Sequence, residues 1–318
     1  MNSMPSNPII SAVTETDELL ADAAQRAMRY VKAAAARRVG PASEAVSALS
    51  RFHEQFPDSP CEPREVLTML DEIGSPATVA TNGRRYFGFV IGGALPVVMG
   101  ANWLAGAWDQ NACLRVMSPV AAELEDVVLR WICEALGLPA ECEGGLVTCA
   151  TTANFTALAA ARYALLAKSG WNVAEDGMFG APPIQVVVGG EVHASMLKAL
   201  SLIGFGSKRL TIVDVDAQGR MRADKLPQLS DRAIVCIQAG NVNTGAFDPA
   251  MEIVQRAKQQ GAWVHVDGAF GLWAGLSPKY EHLTRGFEQA DSWATDAHKW
   301  PNVNYDNGIV MARRCALP

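Results

Sequence analysis

The stretches VHVDGAFG (residues 264–271) and ADSWATDAHKW (residues 290–300) decide the fold of this chain. The first is an apolar run that ends in Asp267 and continues into small residues. The second ends in a His-Lys pair beside a tryptophan, and its Lys299 follows Asp267 by 32 positions. An apolar run that ends in a carboxylate is typical of a buried strand in an α/β sheet, where ligands bind beyond the carboxyl ends of the strands. His265 shares a strand face with Asp267, which fits either a hydrogen bond to that carboxylate or an ordinary buried histidine.

The combination of Lys299 with Asp267 indicates the chemistry of pyridoxal phosphate (PLP). A lysine amine forms a Schiff base with this cofactor, and a carboxylate keeps the ring nitrogen protonated so that the ring accepts electrons. An isolated lysine is usually a solvated surface group, and an aspartate after a strand is often a turn residue. Here Lys299 lies between His298 and Trp300, and Asp267 precedes small residues that let a flat ring approach. We therefore predict that Lys299 carries the cofactor and that Asp267 faces its ring nitrogen.

Two further motifs complete the pattern: GEVHAS at residues 190–195 and GLVTCATTAN at residues 145–154. With them, the sequence from about Arg85 onward resembles the pyridoxal-dependent group II amino acid decarboxylases, the family of aromatic-L-amino-acid and glutamate decarboxylases. The resemblance implies an α/β fold of the aspartate-aminotransferase type (PLP fold type I), in which a mostly parallel sheet forms the large domain. It also implies a carboxy-lyase that acts on an amino acid through a Schiff base on Lys299.

The resemblance assigns roles to residues of the cofactor site. His193 would stack on the ring, and residues 150–152 would hold the phosphate at the start of a helix, where free N–H groups bind anions. Ordinary helix capping by threonine is an alternative explanation for this segment, and Cys149 stands where close relatives commonly have glycine. The predicted catalytic set is Lys299, His193 and Asp267, and the predicted cofactor-binding set is Ala150, Thr151, Thr152, His193, Thr244, Asp267, His298 and Lys299.

On the substrate side, the resemblance points to Phe89 and Asn111. The aromatic-acid decarboxylases carry a tyrosine close to the position of Phe89, and its absence here argues against an aromatic amino acid as the substrate. Within the cofactor-binding set, Thr244 would lie near the face of the ring. His298 would contact the cofactor phosphate or the region of the substrate carboxylate.

The rest of the sequence alternates between strand-like and helical segments. Continuous apolar runs separated by helical periodicity favour the α/β class with a largely parallel sheet. Residues 15–39 are predicted to form an Ala-rich helix. We divide the chain into an N-terminal helical arm, residues 1–80, and a PLP-binding large domain, residues 81–318. The predicted strands cover residues 184–188, 209–213, 233–238 and 263–266, and helices are predicted at residues 119–136, 155–167, 194–202 and 249–260.

Composition and charge argue against several classes of function. The 318 residues carry a net charge of −6 without a basic cluster, which argues against a nucleic-acid partner. The seven cysteines contain no C-x-x-C pair, so we expect reduced thiols, no metal site and a cytoplasmic location. Residues 86–108 lack charge over the length of a membrane helix, but their glycines and proline favour a buried loop and helix near a subunit interface. We therefore expect a homodimer and no membrane segment.

The sequence ends soon after Lys299. Members of the resembled family continue with a mobile loop, whose tyrosine protonates the reacting carbon, and with a small C-terminal domain. We expect this chain to lack both and to be a poor decarboxylase by itself. Three functions stay open: a PLP-dependent amino acid decarboxylase, another PLP carbon–carbon lyase or desulfurase on the same scaffold, and a truncated chain that binds PLP without turnover.

Overall fold

A computed structural model describes the backbone of residues 8–314 and the side chains of residues 15–314. The chain divides into two compact units, the first ending at Gly88 and the second beginning at Phe89. Its helices are α1 (Pro8–Ala34), α2 (Ser43–Ala48), α3 (Pro63–Met69), α4 (Ser75–Ala77), α5 (Pro96–Trp108), α6 (Pro119–Ala135), α7 (Ala150–Ala167), α8 (Val173–Asp176), α9 (Ala194–Leu202) and α10 (Ala250–Gln259). Its strands are β1 (Cys142–Val147), β2 (Gln185–Gly189), β3 (Thr211–Val213), β4 (Ala233–Gln238), β5 (Trp263–Asp267), β6 (Ser292–Asp296) and β7 (Gly308–Arg313).

The first unit is built from helices in its described residues. The helix predicted over residues 15–39 is present, but it begins at Pro8 and ends at Ala34. The predicted bounds are therefore wrong at both ends. Beyond Ala34 the chain turns, and the guanidinium of Arg37 donates to the carbonyl oxygen of Ser75 at 2.9 Å.

The second unit contains a seven-stranded sheet with the order β1-β7-β6-β5-β4-β2-β3. Six strands run parallel, and β7 runs antiparallel between β1 and β6. The prediction of an α/β fold with a mostly parallel sheet is confirmed. Strands β4 and β5 are buried along almost their whole length, as expected for continuous apolar runs in a parallel sheet that is covered on both faces.

Helices cover both faces of this sheet. Helices α7 and α9 pack on one face, where Leu158, Leu165 and Leu200 are fully buried. Helix α10 covers the other face through Ile253 and Val254. The core therefore lies in two layers, one on each side of the sheet.

The parallel strands place polar residues at one edge of the sheet. Asp267 is the last residue of β5 and pairs in register with Gln238, the last residue of β4. Asp296 is the last residue of the neighbouring β6, and α7 begins at Ala150, shortly after β1. Because the carboxyl ends of parallel strands lie along the same edge, these residues meet where α/β sheets bind ligands.

The apolar segment that was predicted to be buried is exposed in this chain. Helix α5 contains no buried residue, and Val97 is 73%, Trp103 47% and Trp108 49% exposed. The prediction of burial is therefore wrong for the single chain. Periodicity could not reveal this, because a helix that is apolar all round has no polar face to mark its solvent side. No helix among residues 8–314 is long and apolar enough to cross a membrane.

Candidate active site

A cleft of about 250 Å³ opens at the carboxyl edge of the sheet, and Asp267, His193 and Lys299 all line it. The three residues assigned to the catalytic set from sequence therefore share one cavity, and their roles remain predictions. The rest of the wall consists of Phe89, Val90, Gln238, Gly240, Val242, Ala269 and Phe270.

Asp267 is 4% exposed. Its Oδ2 accepts a hydrogen bond from Asn154 Nδ2 at 3.4 Å, and its Oδ1 accepts one from the backbone N–H of Ala269 at 3.3 Å. Burial raises the pKa of this carboxyl, and the positive charge of Lys299 opposes that shift. Since the contact at Oδ1 is long and weak, this oxygen can accept a stronger bond from a protonated ligand.

Lys299 is held by an aspartate that the sequence analysis did not assign to the site. Its Nζ lies 2.9 Å from Oδ2 of Asp296, and the two side chains are 15% and 3% exposed. The other oxygen of Asp296, Oδ1, accepts the backbone N–H of Ala150 at 2.6 Å. Asp296 thus connects the lysine to the first residue of α7, where its charge complements the positive end of the helix dipole.

The start of α7, predicted to hold a phosphate, is engaged by protein groups. Asp296 takes the N–H of Ala150, and the thiol of Cys149 lies beside the next two residues. Burial raises the pKa of this thiol, but hydrogen bonds from Thr152 and Thr151 outweigh it and leave the pKa below its ordinary value. The helix start therefore favours negative charge, with a cysteine in place of a smaller residue next to it.

His193 is the N-cap of α9. The backbone N–H of Ser195 donates to its Nδ1 at 3.2 Å, and the Ser195 hydroxyl lies 2.7 Å from the same nitrogen. Because a backbone N–H can only donate, Nδ1 is an acceptor and the proton of the neutral ring is on Nε2. The ring is thus oriented through Nδ1, which leaves the Nε2–H group available to a ligand.

Three residues that were predicted to lie at the site have other surroundings. Thr244 donates its hydroxyl to a backbone carbonyl oxygen at 2.7 Å. His298 donates from Nδ1 to the carbonyl oxygen of Asn307 at 2.8 Å, and its Nε2 lies 3.6 Å from Asp296 Oδ2. Asn111 is exposed after α5 and accepts a nearby backbone N–H at 3.1 Å. None of the three lines the cleft that the described residues form.

Phe89, predicted to lie on the substrate side, lines the cleft together with Val90. Both residues have a positive φ, 56° and 53°, which is uncommon for bulky or β-branched side chains and costs about 1–3 kcal/mol each. The following loop lies against the lysine segment. A Cβ at Gly92 would come within 2.0 Å of the carbonyl oxygen of Lys299, and the Gly92 N–H donates to the carbonyl oxygen of His298 at 3.4 Å.

Buried polar groups continue behind Asp267. Asn154 Oδ1 lies 2.9 Å from His265 Nε2, and His265 Nδ1 lies 2.9 Å from Ser292 Oγ. The indole Nε1 of Trp263 donates to the same hydroxyl at 2.9 Å. Burial lowers the pKa of His265 to about 3, so the ring is neutral at physiological pH. His265 is therefore linked to Asp267 through Asn154 and not by the direct bond that the sequence left open.

Asp296 and Asn154 are the site residues that the sequence analysis missed. Asp296 contacts Ala150 across 146 positions, and Asn154 contacts Asp267 across 113 positions. Both residues lie inside the motifs quoted above, but only the pairing of β5, β6 and α7 shows that they reach the site. The available signal was the spacing of Asp296, which precedes Lys299 by three positions.

The chain is similar to several known proteins. The family model described as the pyridoxal-dependent decarboxylase conserved domain matches residues 51–316. The chain is 30% identical over 230 residues to an acidic amino acid decarboxylase from Bos taurus, which covers 70% of this chain and 43% of the relative. It is 28% identical over 284 residues to an aromatic-L-amino-acid decarboxylase from Bacillus atrophaeus, which covers 86% of this chain and 57% of the relative. The chain thus spans about half the length of the curated relatives it matches.

Solved structures of low sequence identity share the fold. Mouse CSAD in its apo form matches with a TM-score of 0.85 at 21% identity, over 95% of this chain and 65% of that chain. Oryza sativa TDC with PLP and tryptamine matches with a TM-score of 0.83 at 22% identity, over 98% of this chain and 65% of that chain. The family model covers well over half of the sequence, and the chain therefore belongs to the pyridoxal-dependent decarboxylase family.

Proposed function

We propose that this chain binds pyridoxal 5′-phosphate in the cleft and acts as a carboxy-lyase on an amino acid. The observation that carries the proposal is the position of Asp267 and Lys299 on one cleft at the carboxyl edge of the sheet. The family match supports the same cofactor. The names of the relatives cover both acidic and aromatic amino acids, so we propose the substrate class and no single substrate.

The described residues fit this cofactor by their chemistry. A buried carboxylate with one weakly bonded oxygen suits a protonated ring nitrogen, and Asp267 has such an oxygen. Lys299 would hold the cofactor covalently, and His193 would lie against the ring. Residues 151–152 at the start of α7 would hold the phosphate, because Asp296 already takes the first N–H of that helix.

The roles of these side chains in the reaction follow from their contacts. Bound PLP supplies an electron sink for the electron pair that remains when an amino acid loses CO₂. Asp267 would place a negative charge beside the ring nitrogen and so would keep it protonated. Asp296 orients the Lys299 ammonium, and the low exposure of both side chains keeps water away from that amine. His193 offers its Nε2–H to a ligand.

Covalent labelling tests the binding part of the proposal. Borohydride reduction of the chain with PLP, followed by peptide mapping, should place the pyridoxyl label on Lys299. Lys299→Ala should abolish the label, whereas substitution of the exposed Lys198 by alanine should not. Label on any other lysine would contradict the assignment.

A CO₂-release assay tests the reaction. We expect release from at least one member of a panel of acidic and aromatic amino acids, and none from the Lys299→Ala variant. Cofactor binding at Lys299 without CO₂ release from any amino acid would contradict the carboxy-lyase activity and favour the non-catalytic alternative.

We further propose that two copies of the chain associate through α5. Val97, Trp103, Leu104 and Trp108 expose between 47% and 73% of their surface. Apolar surface in water is unfavourable by about 25 cal/mol per Å², and contiguous exposed apolar patches mark contact surfaces. A second copy of the chain is the partner that would cover this helix.

We also propose a cytoplasmic location. The six cysteines among the described residues are free thiols, and reduced thiols are typical of proteins in a reducing compartment. Localisation of a tagged full chain by fractionation would test this, and recovery outside the cytoplasm would contradict it.

A further inference from the structure

We propose that Trp263, Ser292, His265 and Asn154 are positioning residues. In this proposal they form a one-way chain of hydrogen bonds that ends on Asp267, and the indole of Trp263 sets its direction. The proposal rests on the proposed function for the identity of the ligand. The series of hydrogen bonds joins only protein groups, so it does not depend on that identity.

The members of this chain of bonds are brought together by the sheet and by α7. Trp263, His265 and Asp267 alternate along β5, so their side chains share one face of the sheet. Ser292 on β6 pairs in register with His265 on β5, and Asn154 projects from α7. Asn154, His265 and Ser292 are 0% exposed and Trp263 is 5% exposed, so their polar atoms need partners inside the protein.

The donors and acceptors on these groups are compatible with one direction that runs from Trp263 to Asp267. An indole N–H can only donate, so the Ser292 hydroxyl accepts from Trp263. The single proton of that hydroxyl is then directed to Nδ1 of His265. The neutral ring of His265 carries its proton on Nε2 and donates to Oδ1 of Asn154. The NH₂ group of Asn154 is thereby turned toward Oδ2 of Asp267.

The opposite direction requires a different charge on Asp267. With its proton on Nδ1, His265 would donate to the side chain or the carbonyl oxygen of Ser292, and its Nε2 would need a donor. The amide of Asn154 would have to turn round, and its oxygen would then face an oxygen of Asp267. Two such oxygens repel each other unless Asp267 is protonated. The proposed direction therefore selects the ionised carboxylate, which is the form that pairs with a protonated ring nitrogen.

This selection matters because the charges on the cleft side partly cancel. Lys299 favours the ionised form of Asp267, whereas Asp296 opposes it and also pairs with Lys299. The chain of bonds acts on Asp267 from the core side, where the four positioning residues are buried. Its effect is therefore independent of the ligand in the cleft.

The tautomer of His265 in the cofactor-free full chain tests the proposal. The sequence has five histidines, so the ring nitrogens of His265 can be assigned in ¹⁵N-histidine-labelled protein by the signals that are lost in His265→Gln. We expect a protonated Nε2 and an unprotonated Nδ1. A protonated Nδ1 in the wild-type chain would overturn the proposal.

Trp263→Phe removes the donor that sets the direction, and Trp293→Phe is the matched control. The indole of Trp293 is 1% exposed and donates to the carbonyl oxygen of Phe287 at 2.7 Å, outside the chain of bonds. In Trp263→Phe we expect His265 to shift toward the Nδ1–H tautomer and PLP affinity to fall about two- to tenfold, the loss expected for one buried hydrogen bond. Trp293→Phe should change neither. The same His265 tautomer in both variants would overturn the role of Trp263.

A second variant keeps the test decisive if Trp263→Phe does not fold. Ser292→Ala removes one hydroxyl with little change in volume, and it should produce the same shift in the tautomer of His265. An unchanged tautomer in Ser292→Ala would overturn the proposal. A wild-type chain that binds no PLP would contradict the proposed function, while the tautomer of His265 would still confirm or overturn the direction of the bonds.

Discussion

At the scale of single residues, Asp296 joins two parts of the site through its charge. It accepts the N–H of Ala150 and pairs with the ammonium of Lys299, and the side chains of Asp296 and Lys299 have little exposure to solvent. Asp296→Asn keeps an acceptor for Ala150 but leaves the ammonium without a counter-charge. Because removal of one member of a buried ion pair is strongly destabilising, we expect the free energy of unfolding of the cofactor-free chain to fall by about 3 kcal/mol.

Urea unfolding of the wild type and the variant measures this loss. Asp224→Asn is the control, because it breaks the exposed pair of Asp224 with Arg222 and exposed pairs contribute little to stability. Similar losses in the two variants would show that the Asp296 contacts do not stabilise the fold in the way proposed.

Asp248 gives the chain a dependence of stability on pH. Its carboxylate accepts the backbone N–H groups of Met221 and Gln238, both at 2.7 Å, and burial raises its pKa to about 6. Between about pH 4 and pH 6 the folded chain thus binds more protons at this group than the unfolded chain does. The free energy of unfolding therefore falls as the pH rises through that window, by up to roughly 3 kcal/mol from this group.

Asp248→Asn should remove this part of the pH profile, because an amide does not titrate. Urea unfolding of the wild type and the variant across the same window measures the difference in slope. The variant starts from a lower stability, since an amide has one acceptor oxygen for two backbone donors. Parallel profiles would contradict the raised pKa.

At the scale of elements, the loop after Phe89 depends on a glycine that lets it approach the lysine segment. A Cβ at Gly92 would lie 2.0 Å from the carbonyl oxygen of Lys299, and this neighbour is backbone. We expect Gly92→Ala to displace one segment or the other, to cost about 1–3 kcal/mol and to weaken PLP binding. Gly40→Ala is the matched control, because a Cβ there meets nothing within 4 Å.

Thermal unfolding and a fluorescence titration with PLP would measure both effects. We expect Gly40→Ala to leave PLP affinity unchanged and stability equal or slightly higher. Wild-type PLP affinity in Gly92→Ala would contradict the close packing of the loop against the segment that carries Lys299.

The elements also show how far the sequence alone could lead. Strands β2, β4 and β5 were predictable because each is a continuous apolar run, which a parallel sheet buries on both faces. Glycine and several polar residues are depleted in strands. Such residues occur in both β1 and β6, whose sequences are CEGGLV and SWATD. Both pair with β7, and β6 also pairs with β5. Pairing between segments as distant as β1 and β7 leaves no local pattern in the sequence.

The residues of the site also fall into two groups: those that the sequence predicted and those that only the fold reveals. Lys299, Asp267 and His193 stand in motifs of their own, and the sequence analysis placed all three at the site. Asp296 and Asn154 lie inside the same motifs, but their contacts with Ala150 and Asp267 depend on where β5, β6 and α7 meet. A residue whose function comes from a distant partner is visible only when the fold is known.

At the scale of the whole molecule, association through α5 predicts that one substitution in this helix converts a dimer to a monomer. We expect the wild-type chain to be a dimer by light scattering at micromolar concentration. Trp103→Glu should shift it to a monomer, because a charge at the centre of an apolar interface is costly to bury.

Leu202→Glu on α9 is the control, since Leu202 is also exposed, at 63%, but lies on another helix. It should remain dimeric. A monomeric wild-type chain, or dissociation of both variants to the same extent, would contradict a dimer through α5.

The position of β7 between β1 and β6 has a consequence for the synthesis of the chain. Cys142 on β1 pairs with Arg313 on β7, 171 positions later, so β1 leaves the ribosome long before its partner. Contacts between such distant segments form late, because closing a long loop costs entropy. A nascent chain therefore carries an unpaired strand edge, of the kind that promotes aggregation and engages chaperones, until translation has passed Arg313. The segment that holds Lys299 is closed at both ends only at that moment, so the proposed binding of cofactor would have to follow the synthesis of β7.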